Sequence, residues 1–273
     1  MGLGFCQMLK HARIVGGAVL RIMERQIEKL PLPGAQRALK FCLILLTGRY
    51  RTGDTCQIGG LGRTYYRVLG PRLNGTFVEV GAFDGETFSN TSFLADLGWC
   101  GIYIEPIEEY AERCRKRHAH NPNVSVVNCA VGNGHSVRLH KAGPMSTSSA
   151  VHAKAYAMID WAAEHLTNET VDVPQRRLDS ILSESGIQPG FDILVVDTEG
   201  SERDVFGSFD LRSWGPRMLI VEIGDNNSDL APYPKIVRRA KALRNYLTGH
   251  GYRELHRDEI NTIFVRRADG AIR

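Results

Sequence analysis

Five short runs of apolar, β-favouring residues recur along the chain: Thr76 to Val80, Gly101 to Ile104, Asn123 to Ala130, Phe191 to Val196 and Arg217 to Val221. They lack the in-out alternation of a half-exposed strand, which is the pattern of parallel strands covered on both faces. Each stops at a glycine or an acidic residue: Gly81, Glu105, Asp197 and Glu222, and Val131-Gly132 after the third. Helical spacing fills the gaps over Ser89 to Leu97, with Ser89 or Asn90 as N-cap, and over Glu108 to His118 and Pro234 to Leu247. Strand and helix in alternation predict an open, mostly parallel α/β sheet. The C-terminus breaks the rhythm. Tyr252 to Leu255 and Thr262 to Val265 are too close for a crossover helix, so they pair antiparallel.

In such a sheet, ligands sit outside the carboxyl ends of the strands. The first turn there reads Gly81-Ala82-Phe83-Asp84-Gly85, whose two glycines remove Cβ atoms from the line of approach. A dinucleotide fingerprint needs a third glycine and a turn that welcomes a pyrophosphate. Here Glu79 and Asp84 supply negative charge instead, which suits a nucleoside cofactor carrying an ammonium and a sulfonium, namely S-adenosylmethionine. Glu105, about twenty residues on, is placed to accept hydrogen bonds from both ribose hydroxyls. Asn90 and Pro106 are counted with this cofactor set, and Ala130 with Val131 forms a small apolar pair suited to flank an adenine. Taken singly, Glu79 and Glu105 also read as ordinary strand ends; the spacing of the pair favours the pocket.

The fourth run ends in Asp197-Thr198-Glu199-Gly200-Ser201-Glu202. Carboxylates at that strand end can remove a proton from an acceptor, hold a divalent metal through oxygen ligands, or, for Asp197, cap the next helix. The metal-free base is the favoured reading, so no metal ligand is assigned. Between the third and fourth runs lies a polar segment, Met145 to Ser149, and a helical stretch to about His165. An insertion at the ligand edge forms an acceptor site or lid, or is a surface elaboration. Its aromatic residues Tyr156 and Trp161, with His165, are candidates for holding a sugar or ring.

The blocks F-V-E-V-G-A-F-D-G-E, S-N-T-S-F-L-A-D-L-G-W-C-G-I-Y-I-E-P, N-C-A-V-G, R-L-D-S-I-L and D-I-L-V-V-D-T-E-G-S-E, in this order, resemble the FkbM-type methyltransferases over roughly residues 65 to 266. The resemblance implies a class I Rossmann-like fold: a seven-stranded, mostly parallel sheet with a C-terminal antiparallel hairpin. It also implies S-adenosylmethionine as donor and O-methylation of a hydroxyl on a sugar, polysaccharide or secondary metabolite. By matching motif positions it carries cofactor roles to Glu79, Gly81, Asp84, Gly85 and Glu105, and active-site roles to Asp197, Glu199 and Ser201. Two other readings stay open: an inactive cofactor-binding scaffold, and an NAD-dependent oxidoreductase or epimerase. The missing third glycine speaks against the second, and the intact D-T-E-G-S-E edge against the first.

Of the 273 residues 43% are hydrophobic and 23% charged, enough for one sizeable core. The division expected is a basic helical extension over 1–64 and a catalytic domain over 65–273. The net charge of +4 is concentrated in residues 1 to 56, which hold nine Lys or Arg against three acidic residues, a surplus of six that leaves the remainder at minus two. A mildly acidic catalytic part argues against nucleic acid. The extension reads either as helices packed on the domain or on a second copy, giving a homodimer, or as a basic amphipathic segment on a membrane surface. In the latter, Ile14, Val15, Val19, Leu20 and Ile22 form the apolar face. Its longest apolar run, Phe41 to Leu46, is far too short to span a bilayer, and it makes a poor signal peptide. Six cysteines without C-x-x-C spacing predict free thiols, with Cys100 and Cys129 buried, in a reducing, cytoplasmic setting.

Overall fold

The computed structural model describes residues 26–27, 33–52 and 55–267. The apolar face read over residues 14–22 lies outside them. The first long helix is α1 (Pro33–Thr47), followed by α2 (Leu61–Leu69). The alternating body then runs β1 (Thr76–Val80), α3 (Ser92–Asp96), β2 (Cys100–Ile104), α4 (Glu108–His118) and β3 (Val124–Val127). Next come β4 (Ala130–Val131), β5 (Ser136–His140), α5 (Ala150–Tyr156), α6 (Asp160–Ala163) and β6 (Thr170–Arg176). The chain continues through α7 (Leu178–Glu184), β7 (Ile193–Val196), α8 (Glu202–Phe206), α9 (Leu211–Trp214) and β8 (Met218–Glu222), and closes with α10 (Pro234–Gly249), β9 (Tyr252–Arg257) and β10 (Asn261–Arg266).

Seven strands form one sheet in the order β3-β2-β1-β7-β8-β10-β9, all parallel except β10, which runs antiparallel to both its neighbours. Side chains alternate between two cores. Val78, Val80, Ile102, Ile104, Leu194, Val196, Leu219 and Val221 face one layer of helices, reached by Leu182 of α7, Val205 of α8 and Leu247 of α10. Phe77, Tyr103, Ile193, Val195, Met218 and Ile220 face the other, with Ile44 of α1, Leu61 and Tyr65 of α2, Leu94 of α3 and Cys114 of α4. This double cover explains why these strands read as unbroken apolar runs. Ile44, Tyr50, Ile58 and Leu61 belong to the same core as the sheet, so the segment before residue 65 packs onto the catalytic body from Ile44 onward, while Ile27, Leu39 and Leu43 form a small cluster of their own.

A second, three-stranded sheet in the order β4-β6-β5 stands beside β3 and carries α5 and α6 between β5 and β6. The expected third strand, Asn123 to Ala130, is therefore two: β3 ends at Val127, and Ala130 pairs with Gln175 in the other sheet. Cys129 is buried, but Cys100, the first residue of β2, is exposed; both thiols are free. The helix expected from Ser89 starts only at Ser92, because the side chains of Ser89 and Thr91 turn inward onto Glu79. Among the described residues no helix is long and apolar enough to cross a membrane.

Candidate active site

Strand register brings the site together. Val80 pairs with Ile104 on one side and with Val196 on the other, and Val196 pairs with Val221. The residues that follow each of these, Gly81, Glu105, Asp197 and Glu222, therefore leave the sheet side by side at its carboxyl edge. Gly81 sits at φ +87°, and a Cβ there would lie 1.7 Å from the Asp197 carbonyl oxygen. The crowding that demands glycine comes from the β7 turn rather than from a ligand.

On the β1 and β2 side, the Glu105 carboxylate is pinned by two backbone donors, Phe83 N–H and Ile107 N–H, each at 2.9 Å and each on a different oxygen. Burial pushes its pKa up to about 8 against the pull of these two bonds. An ionised carboxylate offers about four lone-pair positions, so one remains on each oxygen. That donor set fits a ribose diol. Pro106 presents its carbonyl to Asn128, which also holds the Glu105 carbonyl. Ala130 packs beside Phe83, Ile107 and Tyr110, whereas Val131 is enclosed in the main core.

Glu79 and Asp84 take different roles from those expected. Glu79 is buried and accepts from the Ser89 hydroxyl at 2.9 Å, the Asn90 N–H at 3.3 Å and the Thr91 hydroxyl. Desolvation raises it to about 7. Asn90 is itself buried behind it, taking the Tyr65 hydroxyl on its carbonyl. Asp84 folds back on its own loop, receiving Glu86 N–H, Thr87 N–H and the Thr87 hydroxyl at 2.9, 2.7 and 2.7 Å. Both carboxylates build the turn. Gly85 is required because a Cβ would meet Cys114 and His118 of α4, and its carbonyl accepts from His118 Nε2.

On the β7 and β8 side, Asp197, Glu199 and Glu222 bring one carboxylate oxygen each within 4.8 Å of one another. Asp197 lies against the Glu222 carboxylate, with the Gln57 side chain beside it. Burial, then mutual repulsion, drives Glu199 and Glu222 well above the usual carboxylate range, and burial raises Asp197. Carboxylates this close titrate as a coupled group rather than one by one. Glu202, buried beside them, accepts from Thr198 N–H, the Thr198 hydroxyl and Gly200 N–H, which fixes the turn. Three oxygen ligands at this spacing also have the chemistry to hold a divalent cation.

The insertion grips this turn. Thr147 donates to the Glu199 carbonyl at 2.6 Å, Ser148 and Ser201 share a hydrogen bond at 2.6 Å, and the Tyr156 hydroxyl donates to the Glu199 carboxylate. Glu199 is held at φ +53°, a left-handed conformation disfavoured for a non-glycine residue, next to Gly200 at +98°. Tyr156 is only 3% exposed, so it is no platform for a sugar; it orients Glu199. Trp161 is half-exposed, and its indole N–H donates to Asp229 at 2.9 Å, tying α6 to the loop after β8 rather than to the carboxylates. Glu222, Glu202 and Gln57 were missed as site residues. Glu222 carried a signal as a strand end and Glu202 as the last residue of the D-T-E-G-S-E block; Gln57 carried none.

A family described as the methyltransferase FkbM domain matches residues 79–254. The chain belongs to the FkbM methyltransferase family. It is an S-adenosylmethionine-dependent methyltransferase of the class I fold, and the seven-stranded sheet with its antiparallel hairpin is the arrangement the motifs implied. Among solved structures it is similar to the O-methyltransferase TomG of Streptomyces achromogenes, involved in tomaymycin synthesis and solved with S-adenosylmethionine. That likeness has 14% identity over 71% of this chain and 73% of that one, with a TM-score of 0.40. It is also similar to an O-methyltransferase from Bacillus cereus solved with S-adenosylhomocysteine, at 12% identity over 90% and 97% of the two chains and a TM-score of 0.43. No curated protein matches the sequence of this FkbM methyltransferase.

Proposed function

We propose that this FkbM methyltransferase methylates a hydroxyl oxygen of a sugar, glycan or other small secondary metabolite, with Glu199 as the base and Asp197 and Glu222 as its electrostatic partners. The observation that carries the reading is the carboxylate cluster at the ends of β7 and β8, one strand away from the Gly81 turn. When bound, S-adenosylmethionine supplies an electrophilic methyl group on a sulfonium. Glu105 would hold its ribose through the two lone pairs left free, with Ala130 and the Phe83 loop beside it, while Glu79 and Asp84 keep the turn rigid.

A neutral hydroxyl is a poor nucleophile, so the acceptor must lose a proton as it is attacked. Glu199 is fixed by Tyr156 on its side chain and by Thr147 on its carbonyl, and burial raises its affinity for a proton. A positioned base of this kind contributes roughly 10²- to 10⁴-fold. Asp197 and Glu222 lie close enough to Glu199 to set, by mutual repulsion, the cost of each charge on the cluster. The Tyr156 hydroxyl already supplies Glu199 with a donor, which favours the metal-free base. The three carboxylate oxygens support a second reading, in which a divalent cation sits among them and binds the acceptor oxygen. Methyl transfer from labelled S-adenosylmethionine to a panel of sugars and hydroxylated metabolites tests the reaction, and chelation by EDTA separates the two versions. Methylation at nitrogen or carbon, or an undiminished rate in Glu199→Gln, would contradict the base.

A further inference from the structure

A cavity of about 810 Å³ opens beside the carboxylate cluster, between α8, α10 and the loop after β8. Glu222 and Gly200 line it while Asp197 and Glu199 do not, so it adjoins the carboxylate cluster at the Glu222 edge. Its outer wall is basic. Lys235, Arg238 and Arg239, at the i, i+3 and i+4 positions of α10, turn one helix face into it, and Arg203 faces them from α8.

Among the described residues none of these four cations makes an ion pair or side-chain hydrogen bond, although ion pairs are common elsewhere on the surface. Like charges three and four residues apart repel along a helix, so the stripe, whose residues are exposed, is a cost to α10 that no described ion pair offsets. The acids of the cavity do not neutralise it either. Glu202 directs its carboxylate at the amides of its own turn, Glu222 is engaged with Asp197, and Asp204 alone stands free on the α8 side. His152, at the inner wall, is held neutral, with burial and the nearby Arg239 pushing its pKa down to about 4. On the apolar side, Leu230 and Ile236 form the wall and belong to the same buried cluster as Tyr156 of the insertion.

We infer that this cavity recognises an anionic group on the acceptor, so that the substrate is a hydroxylated molecule bearing a phosphate, sulfate or carboxylate, such as a sugar phosphate or sugar acid. The assignment rests on the proposed reaction at the neighbouring carboxylates. The volume suits one small molecule, and four unpaired cations on two facing elements suit the several oxygens of such a group. The anion anchors the molecule at the basic wall, and its hydroxyl then points inward to Glu199. A neutral sugar fills the same space with no partner for the cations.

The test is calorimetric titration of the full chain, with and without saturating S-adenosylhomocysteine, using inorganic phosphate, glucose 6-phosphate, glucuronate and glucose. Phosphate and glucose 6-phosphate, or glucuronate for a carboxylate-preferring wall, are expected to bind at least ten-fold more tightly than glucose. Arg239→Gln and Lys235→Gln should each weaken the anion about ten-fold, as loss of a charge-assisted hydrogen bond does. Lys241→Gln, on the same helix but outside the cavity, should change it less than two-fold, and S-adenosylhomocysteine affinity should be unchanged in all three. A second reading needs no variant: phosphate should slow acylation of Lys235 but not of Lys241, as followed by mass spectrometry. No preference for the anions over glucose, equal losses in Lys241→Gln, binding of heparin but not of phosphate, or no protection of Lys235 would each overturn the inference. A wild-type chain that binds phosphate at this wall but not S-adenosylhomocysteine would leave the cavity standing and sink the proposed methyl transfer instead.

Discussion

Removing the Glu105 carboxylate separates cofactor binding from turn stability. Two of its lone pairs are taken by Phe83 N–H and Ile107 N–H at 2.9 Å, which leaves one on each oxygen for the two ribose hydroxyls. A hydrogen bond to a charged group contributes about 1.5 to 3 kcal/mol, and two that share one anchor do not add fully. The net loss in Glu105→Ala is therefore about 1.4 to 2.8 kcal/mol, a 10- to 100-fold weaker dissociation constant for S-adenosylhomocysteine. The same change orphans two backbone amides, at about 1 to 3 kcal/mol for each that stays dry. It also relieves the chain of a buried carboxylate whose pKa is raised to about 8, so the melting temperature should fall less than the amides alone would suggest. Glu105→Gln keeps one acceptor oxygen but sets an amide N–H against a backbone donor, and should lose less affinity. Titration calorimetry on folded variants, with thermal melts in parallel, reads both effects. A folded Glu105→Ala that binds S-adenosylhomocysteine within two-fold of the parent would refute the placement of the ribose.

Glu199→Gln should lower turnover by roughly 10²- to 10⁴-fold, and Asp197→Ala should abolish it, with cofactor affinity nearly unchanged in both; rates and calorimetry on the same preparations check this. Gly81→Ala places a methyl 1.7 Å from the Asp197 carbonyl at a φ of +87°, so denaturant melts should show a loss of several kcal/mol, and a near-neutral result would contradict the packing of the β1 and β7 turns. Glu79 and Glu105 are raised to about 7 and about 8, so the folded apo chain holds protons that the unfolded chain releases. Their stabilisation is complete below the unfolded value of 4.5 and is lost as pH rises through 7 and 8. From pH 6.5 upward, where the depressed histidines are half-titrated in the unfolded chain and their opposite contribution fades, apo stability should fall by up to about 1.4 kcal/mol per pH unit for each carboxylate in its titration range. Over the same range, affinity for S-adenosylhomocysteine should rise, because the ionised carboxylate is the better acceptor; melts and titrations at pH 6.5 and 8.5 would show a flat or reversed dependence if the ribose does not bind Glu105.

The central strands were legible because burial on both faces writes an uninterrupted apolar run, as in Ile193–Val196, and because each run stops where the chain turns. What happens between runs was less so. In β5 and β6 exposed charged residues alternate with apolar ones, and Pro174 sits where β6 lacks a partner on one side, since β4 begins its pairing only at Gln175. Glu79, Asp84 and Glu105 stand out in the sequence as acidic residues at strand ends and in a glycine turn, yet only contacts with Thr91, Thr87 and Phe83 reveal what each carboxylate faces. The neighbourhood of Asp197, Glu199 and Glu222 depends on the pairing of Val196 with Val221, and Gln57 reaches Asp197 from a segment more than a hundred residues earlier in the sequence. Neither spacing nor composition encodes such contacts. Tyr156 looked like a sugar platform because an aromatic in an insertion usually is exposed; it is instead buried, and its hydroxyl donates to the Glu199 carboxylate.

The most direct measurement is a crystal structure of the full chain with S-adenosylhomocysteine. The expected result has both ribose hydroxyls within about 2.5 to 3.0 Å of the two Glu105 oxygens, the adenine beside Ala130, and the sulfur facing the cluster of Asp197, Glu199 and Glu222. A nucleoside bound elsewhere on the sheet edge, with Glu105 untouched or the sulfur turned away from these carboxylates, would contradict the site.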